Sequence, residues 1–258
     1  MNNFYNHKAF FDLNESQKKA VKTLEGPLLV LSGAGTGKTR VLTARLANLL
    51  YSNVTKPWNI LAVTFTNKAA KEMKFRLEVL IGPSANSVWL GTFHSIAAKI
   101  LRENAEIVGL NSNYTIITPD DQVRLLKQIM LDENIDIKKF TPKAMSGLIG
   151  SWKDKGYKPE NIDNINNDFF ANGKAINIYK IYQSRLITLN STDFGDLLMH
   201  NLTIFIEHPD ILKRYHEKIL YFLVDEYQDT NTTQYLWLRL LAEKTKNICC
   251  VGDDDQSI

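Results

Sequence analysis

Ser32-Gly33-Ala34-Gly35-Thr36-Gly37-Lys38-Thr39 follows the apolar run Leu28-Leu29-Val30-Leu31 and leads into Arg40-Val41-Leu42. An apolar run, a glycine-rich turn and then helical periodicity predict a strand–loop–helix unit. The glycines let backbone N–H groups converge on phosphate oxygens, and the helix directs the positive end of its dipole at them. Lys38 can reach the β- and γ-phosphates of a nucleoside triphosphate, and the Thr39 hydroxyl can hold Mg²⁺. The usual pattern opens on glycine; here that position is Ser32, so the loop alone leaves a chance match open.

Working outward, other short apolar runs recur at Ile60–Phe65, Val88–Leu90, Ile219–Val224 and Ile248–Val251. Helical patterns, such as Val41–Leu50 and Ala69–Leu80, separate most of them. Runs of this length alternating with helices predict an α/β fold, with a parallel sheet covered on both faces. A nucleotide then belongs at the carboxyl ends of the strands. Asn14-Glu15-Ser16-Gln17 opens an amphipathic helix that Gly26-Pro27 ends. The alternation lapses between about Asn113 and Asn190, where Thr118-Pro119, Thr141-Pro142 and Lys158-Pro159 each read as helix starts. An all-helical insert therefore interrupts the α/β domain.

Composition bounds the function loosely. The 258 residues carry 31 Lys+Arg against 28 Asp+Glu, a net charge of +3, which admits nucleic acid without demanding it. No apolar run is long enough to span a membrane and no signal peptide opens the chain, so a cytoplasmic protein is expected. Cys249 and Cys250 are neighbours in an apolar run; in a strand they point to opposite faces, which predicts reduced, buried thiols. None of the five His sits in a cluster with metal-ligand spacing.

Leu223-Val224-Asp225-Glu226 places two acids at the end of a predicted strand. Beside a phosphate loop, such an Asp orders Mg²⁺ through water, and the neighbouring Glu polarises the water that attacks the γ-phosphate. An exposed turn with two acids would not explain why an apolar strand ends in them. Thr64, Phe65, Thr66 and Asn67 close another predicted strand, and Thr92, Phe93 and His94 a third. Both sets pair polar groups suited to phosphates with an aromatic ring that can stack on a base, although Phe65 alone reads as readily as a core residue.

Asp225-Glu226-Tyr227-Gln228-Asp229-Thr230 resembles motif II of the superfamily 1 DNA helicases of the UvrD, Rep and PcrA type. Leu13–Gln17 is similar to that family's Q motif, Ser32–Thr39 with Arg40 to motif I, Ala62–Ala70 to motif Ia and Gly91–Ser95 to motif Ib. Asp193-Phe194-Gly195-Asp196-Leu197-Leu198 resembles the return from the family's inserted 1B subdomain. Val251-Gly252-Asp253-Asp254-Asp255-Gln256-Ser257-Ile258 resembles motif III. Relatives commonly carry a small residue at the Ser32 position, so that departure fits the family.

The resemblance implies a RecA-like domain 1A over 1–112 and 191–258 and the helical insert 1B over 113–190, with the chain stopping before motif IV. It implies an ATP- and Mg²⁺-dependent helicase or translocase moving 3′ to 5′ on single-stranded DNA and acting at single-strand/duplex junctions in repair or replication restart. Gln17, Ser32, Gly33, Ala34, Gly35, Thr36, Gly37, Lys38, Thr39 and Arg40 then hold ATP, with Gln17 reading the adenine edge. Lys38, Asp225, Glu226 and Gln256 form the catalytic set, Gln256 sensing the γ-phosphate. Thr64–Asn67 and Thr92–His94 meet DNA. Asp253, Asp254 and Asp255 would repel phosphate unless turned to solvent or shielded by Mg²⁺.

Two other readings remain. Without domains 2A and 2B and their arginines, the chain is a module that binds ATP and DNA without catalysis; a missing arginine finger costs ~10³–10⁵ in rate. A helicase–nuclease subunit shares these motifs. A P-loop kinase or GTPase is disfavoured by Tyr227–Thr230 and the threonine-bearing strand ends. In the insert, Ser151–Pro159 interleaves Lys153, Lys155 and Lys158 with Trp152 and Tyr157, a patch that could lie on duplex backbone. Residues 116–190 hold 11 basic against 9 acidic side chains, so charge does not favour DNA there.

Overall fold

The computed structural model describes residues 4–33, 35–162 and 170–253. In chain order, α1 (Lys8–Phe11) and α2 (Glu15–Lys22) precede β1 (Leu28–Leu31), α3 (Lys38–Tyr51), β2 (Ile60–Thr64), α4 (Asn67–Ile81), β3 (Trp89–Thr92) and α5 (Phe93–Glu103). There follow β4 (Thr115–Ile116), α6 (Pro119–Asp132), α7 (Pro142–Asp154), α8 (Ala175–Thr188), β5 (Ser191–Thr192) and α9 (Phe194–Glu207). Last come α10 (Pro209–Lys218), β6 (Tyr221–Val224), α11 (Thr232–Ala242) and β7 (Ile248–Gly252).

Five strands form a wholly parallel sheet in the order β1-β7-β6-β2-β3. Leu31 pairs with Gly252, Val63 with Val224 and Thr64 with Thr92. Because every strand points the same way, the loops after β1, β2, β3 and β6 leave one edge of the sheet, where β7 also ends. The fold is thus the expected mixed α/β architecture, and this edge is where it gathers polar residues.

Local chemistry explains the elements that brace that edge. Asn14 and Gln17 cap α2 reciprocally, each side chain accepting the other's backbone N–H at 2.9 Å. At the other end of α2, the buried Arg45 guanidinium donates to the Ala20 carbonyl at 2.8 Å, a group the helix leaves open, and to the Leu24 carbonyl beyond the helix at 3.1 Å. Leu42, Leu46 and Leu49 of α3 and Met73 and Leu77 of α4 pack with Ile60, Ala62, Leu223, Cys249 and Val251 of the strands. Coverage is incomplete at β1: Leu28 and Val30 pack inward, whereas Leu29 and Leu31 stay half exposed on the other face of this edge strand.

The chain divides into two compact units, one of Met1–Ile96, His208–Thr230 and Leu238–Ile258, the other of Ala97–Glu207 and Asn231–Trp237. The second is built mainly from helices around Leu126, Ile129, Met130, Met145, Ile149, Trp152, Ile178, Tyr182 and Leu186. Thr118 caps α6 and Thr141 caps α7, as their Thr-Pro starts predict. Lys158-Pro159-Glu160 begins only a single 3₁₀ turn, Pro159–Asn161. The unit also holds a short parallel pair, β4 with β5.

Candidate functional site

β1 delivers the loop to the sheet edge, where the Ser32 N–H donates to the Gly252 carbonyl of β7 at 3.1 Å. Gly35 and Gly37 have φ of +75° and +88°, a region that side chains strain to enter. A Cβ on Gly37 would also lie 3.3 Å from the Gln17 amide nitrogen, which donates to the Thr36 carbonyl at 2.9 Å. Gln17 therefore ties α2 to the loop as well as capping its own helix. One N–H and one lone pair of its amide remain for a ligand. The Thr36 hydroxyl donates to the Gly33 carbonyl at 2.7 Å and tightens the turn.

Lys38 and Thr39 open α3 and face the ends of β6 and β7. The buried Lys38 ammonium donates to Asp253 Oδ2 at 3.0 Å and to the Ser32 carbonyl at 3.2 Å, with Glu226 Oε2 at 3.9 Å. The Thr39 hydroxyl donates to Asp225 Oδ2 at 3.0 Å. Burial raises the Asp225 carboxyl above the ordinary carboxylate range; the Thr39 hydrogen bond opposes this and the nearby Glu226 charge adds to it. The ammonium thus has one close carboxylate, Asp253, and a more distant one, Glu226, while Asp225 is held by Thr39. Among the described residues no three His, Cys, Asp or Glu surround one metal point. Mg²⁺ does not need such a cage: a hydroxyl and one carboxylate, completed by water and phosphate oxygens, match its habits, and Thr39 with Asp225 fit.

Glu226 stands in the left-handed region at φ +50°, backbone strain of about 1–3 kcal/mol that surrounding contacts must hold. Its N–H donates to Asp225 Oδ1 at 3.1 Å, and its carboxylate accepts from Gln228 Nε2 at 2.8 Å. No local pattern marks Gln228 as a site residue, and none distinguishes Asp253 from Asp254 and Asp255. Asp253 lay in a run of three acids with no local signal to separate them; the structure turns it inward onto Lys38 instead of towards solvent. Arg40 reaches the Asp12 carbonyl at 3.5 Å. Ala34 and Gln256, both expected at the nucleotide, lie outside the described residues.

The strand ends after β2 and β3 lie on the same sheet edge. Phe65 is 48% exposed, with Thr66 and Asn67 exposed beside it, whereas the Thr64 hydroxyl is buried and donates to the Thr66 carbonyl at 3.0 Å. Thr66 caps α4, accepting the Ala69 N–H at 3.1 Å. Thr92 accepts the Ser95 N–H at 3.3 Å; Phe93 is 2% exposed and packs inward, and His94 is half-buried. The two aromatic residues expected to behave alike are therefore disposed oppositely.

The lysine patch of the helical unit does not lie wholly at the surface. Lys153 is not a surface cation: its ammonium is buried against Asp193 Oδ2 at 2.6 Å and Asp196 Oδ1 at 2.8 Å. Lys158 pairs with Glu207 at 3.2 Å. Alternating lysines and aromatics could not reveal which face of α7 turns inward.

A family model described as the UvrD/REP helicase N-terminal domain matches residues 13–258. DNA helicase II of Rickettsia typhi is 53% identical over 256 residues, covering 98% of this chain and 39% of that protein. The ATP-dependent DNA helicase PcrA of Staphylococcus epidermidis is 48% identical over 247 residues, 96% of this chain and 34% of its own length. PcrA of Bacillus subtilis is 44% identical over 256 residues, 99% of this chain and 34% of its own length. The chain spans little more than a third of the curated relatives it matches.

Proposed function

The chain belongs to the UvrD/REP helicase N-terminal domain family, and on that premise we propose that its sheet edge is one wall of an ATP site that drives movement along single-stranded DNA, 3′ to 5′, with unwinding at single-strand/duplex junctions. The observation that carries this reading is the meeting of Thr39, next to Lys38 at the start of α3, with Asp225 at the end of β6, Thr39 Oγ1 lying 3.0 Å from Asp225 Oδ2. Backbone N–H groups of residues 33–37 and the Lys38 ammonium bind the β- and γ-phosphates. Thr39 and Asp225 hold Mg²⁺, Asp225 through water; when bound, the ion neutralises charge on the transferring phosphoryl group. Glu226 polarises the attacking water, Gln17 reads the adenine edge and Arg40 contacts the nucleotide. Gln256 senses the γ-phosphate.

Single-stranded DNA meets the neighbouring strand ends, where Thr66 and Asn67 supply polar contacts, His94 a further one, and the exposed Phe65 ring a stacking surface. The opposite wall of the cleft, and the groups that neutralise the transition state from that side, are assigned to the part of the relatives' length outside the match. The 258-residue chain then binds ATP but turns it over negligibly. ATP turnover with and without a single-stranded oligonucleotide, in this chain and in the full-length protein, tests the reading. DNA-stimulated turnover confined to the full-length protein is expected; equal stimulation of the 258-residue chain would overturn the assignment of the second wall.

A further inference from the structure

One amide near the site makes two hydrogen bonds that the reading above does not use. Gln228 lies on the 3₁₀ turn Tyr227–Asp229, between the end of β6 and the end of β7. Its Nε2 donates to the Glu226 carboxylate at 2.8 Å, while its Oε1 accepts the Asp253 N–H at 3.0 Å. A carboxamide supplies a donor and an acceptor on one rigid plane, whereas a carboxylate supplies acceptors alone. The packing is built around it: a Cβ on Gly252 would sit 3.1 Å from Gln228 Oε1. Asp253 in turn holds Lys38 at 3.0 Å. Lys38, Asp253, Gln228 and Glu226 thus form an unbroken chain from the phosphate-binding cation to the carboxylate.

We propose that Gln228 is a positioning residue for hydrolysis: it holds the Glu226 carboxylate in its strained backbone setting and ties it to the end of β7. This rests on the reading of Glu226 as the group that polarises water. When a γ-phosphate draws Lys38 off Asp253, the end of β7 is released from one partner, and Gln228 carries that change to Glu226. Phosphate arrival and the aim of the carboxylate are linked through two side chains.

The test is made in the full-length protein with Gln228→Met, Gln228→Glu and Gly252→Ala, each alone and on a Glu226→Gln background. The measurements are ATP turnover, anisotropy of a fluorescent ATP analogue and thermal melting. Loss of a hydrogen bond to a charged group predicts that Gln228→Met lowers kcat by ~10–100-fold. KM and analogue affinity stay within about twofold, because the bond serves the transition state and not nucleotide binding. Gln228→Glu falls at least as far, since it sets a carboxylate against Glu226. Gly252→Ala lowers kcat in the same sense by displacing Gln228, and decides the matter where a Gln228 variant does not fold.

On the Glu226→Gln background the Gln228 substitutions add almost nothing, because they act through Glu226. Parent-like kcat in Gln228→Met and Gly252→Ala, or the same further loss on the Glu226→Gln background, overturns the proposal. Parent-like turnover of Glu226→Gln alone overturns instead the reading on which it rests.

Discussion

Among the described residues two lysines are buried, Lys38 and Lys153, and the groups around them differ in kind. Lys153, in the helical unit, is closed in by Asp193 and Asp196 at 2.6 and 2.8 Å. Those carboxylates are occupied further: Tyr182 at 2.9 Å and Gln122 at 3.1 Å donate to Asp193, and Gln183 at 2.9 Å donates to Asp196. Even Gly195 belongs to the enclosure, since a Cβ there would lie 2.8 Å from Lys153 Cδ. Burial, with Asp196 beside it, raises the Asp193 carboxyl; burial also pushes up on Asp196, but Lys153, His200 and Gln183 together draw that carboxyl below its ordinary range. Lys38, in the sheet unit, has one close carboxylate, one carbonyl and a distant, partly exposed Glu226. A cation saturated by fixed neighbours serves the fold; a cation with one close carboxylate leaves room for a further anion.

The sharpest way to break this comparison is Lys153→Met, which leaves two acids buried without their cation. A loss of roughly 3–5 kcal/mol in stability is expected, read as an early unfolding transition in urea. If the variant unfolds within ~0.5 kcal/mol of the parent, as an ordinary surface substitution does, the enclosed cluster is not structural. Lys38→Ala is expected to act on the ligand instead, weakening ATP-analogue binding by about 10–100-fold through loss of a charge-assisted bond. Unchanged analogue affinity would remove Lys38 from the site.

A similar contrast separates Phe65 from Phe93. Phe65→Ala is expected to weaken single-stranded DNA binding by ~1–3 kcal/mol in fluorescence titration of the full-length protein, with ATP-analogue affinity unchanged. An unaffected DNA titration would return Phe65 to the class of incidental exposed aromatics. The smallest expected effect concerns Cys249 and Cys250, whose burial pushes the thiols up to about 11 and about 12 from an ordinary 9.0. Protonated thiols are favoured by the fold, so their stabilising share is complete below pH 9 and declines as pH rises from about 9 through those values. Iodoacetamide at pH 8 should therefore label neither thiol until denaturant is added; rapid labelling of the native chain would contradict their burial.

Much of the fold is legible along the chain because its signals are local. Leu28–Leu31, Ile60–Thr64 and Ile248–Gly252 are apolar runs of strand length, and Thr118-Pro119 and Thr141-Pro142 carry their own capping chemistry. The glycine-rich loop is legible for the same reason: Gly35 and Gly37 are required by φ, and Lys38 and Thr39 follow at once. The same locality misleads at Lys158-Pro159-Glu160, where the start signal is followed by one turn, and at Lys153, where the pattern of α7 does not say which face is buried.

What the sequence by itself determined is the set of chemical parts and their family: the loop, the Asp225-Glu226 pair, the threonine-bearing strand ends and the α/β alternation. Each is written in a few adjacent residues, where backbone conformation and side-chain chemistry are coupled directly. Only the tertiary structure decided which parts touch. The sheet order β1-β7-β6-β2-β3 brings Thr39 to Asp225 and Lys38 to Asp253 across 186 and 215 positions. It also places the Gln228 amide between Glu226 and Asp253, and puts Phe65 out and Phe93 in. These contacts depend on strand order and packing over long loops, and no local pattern encodes them.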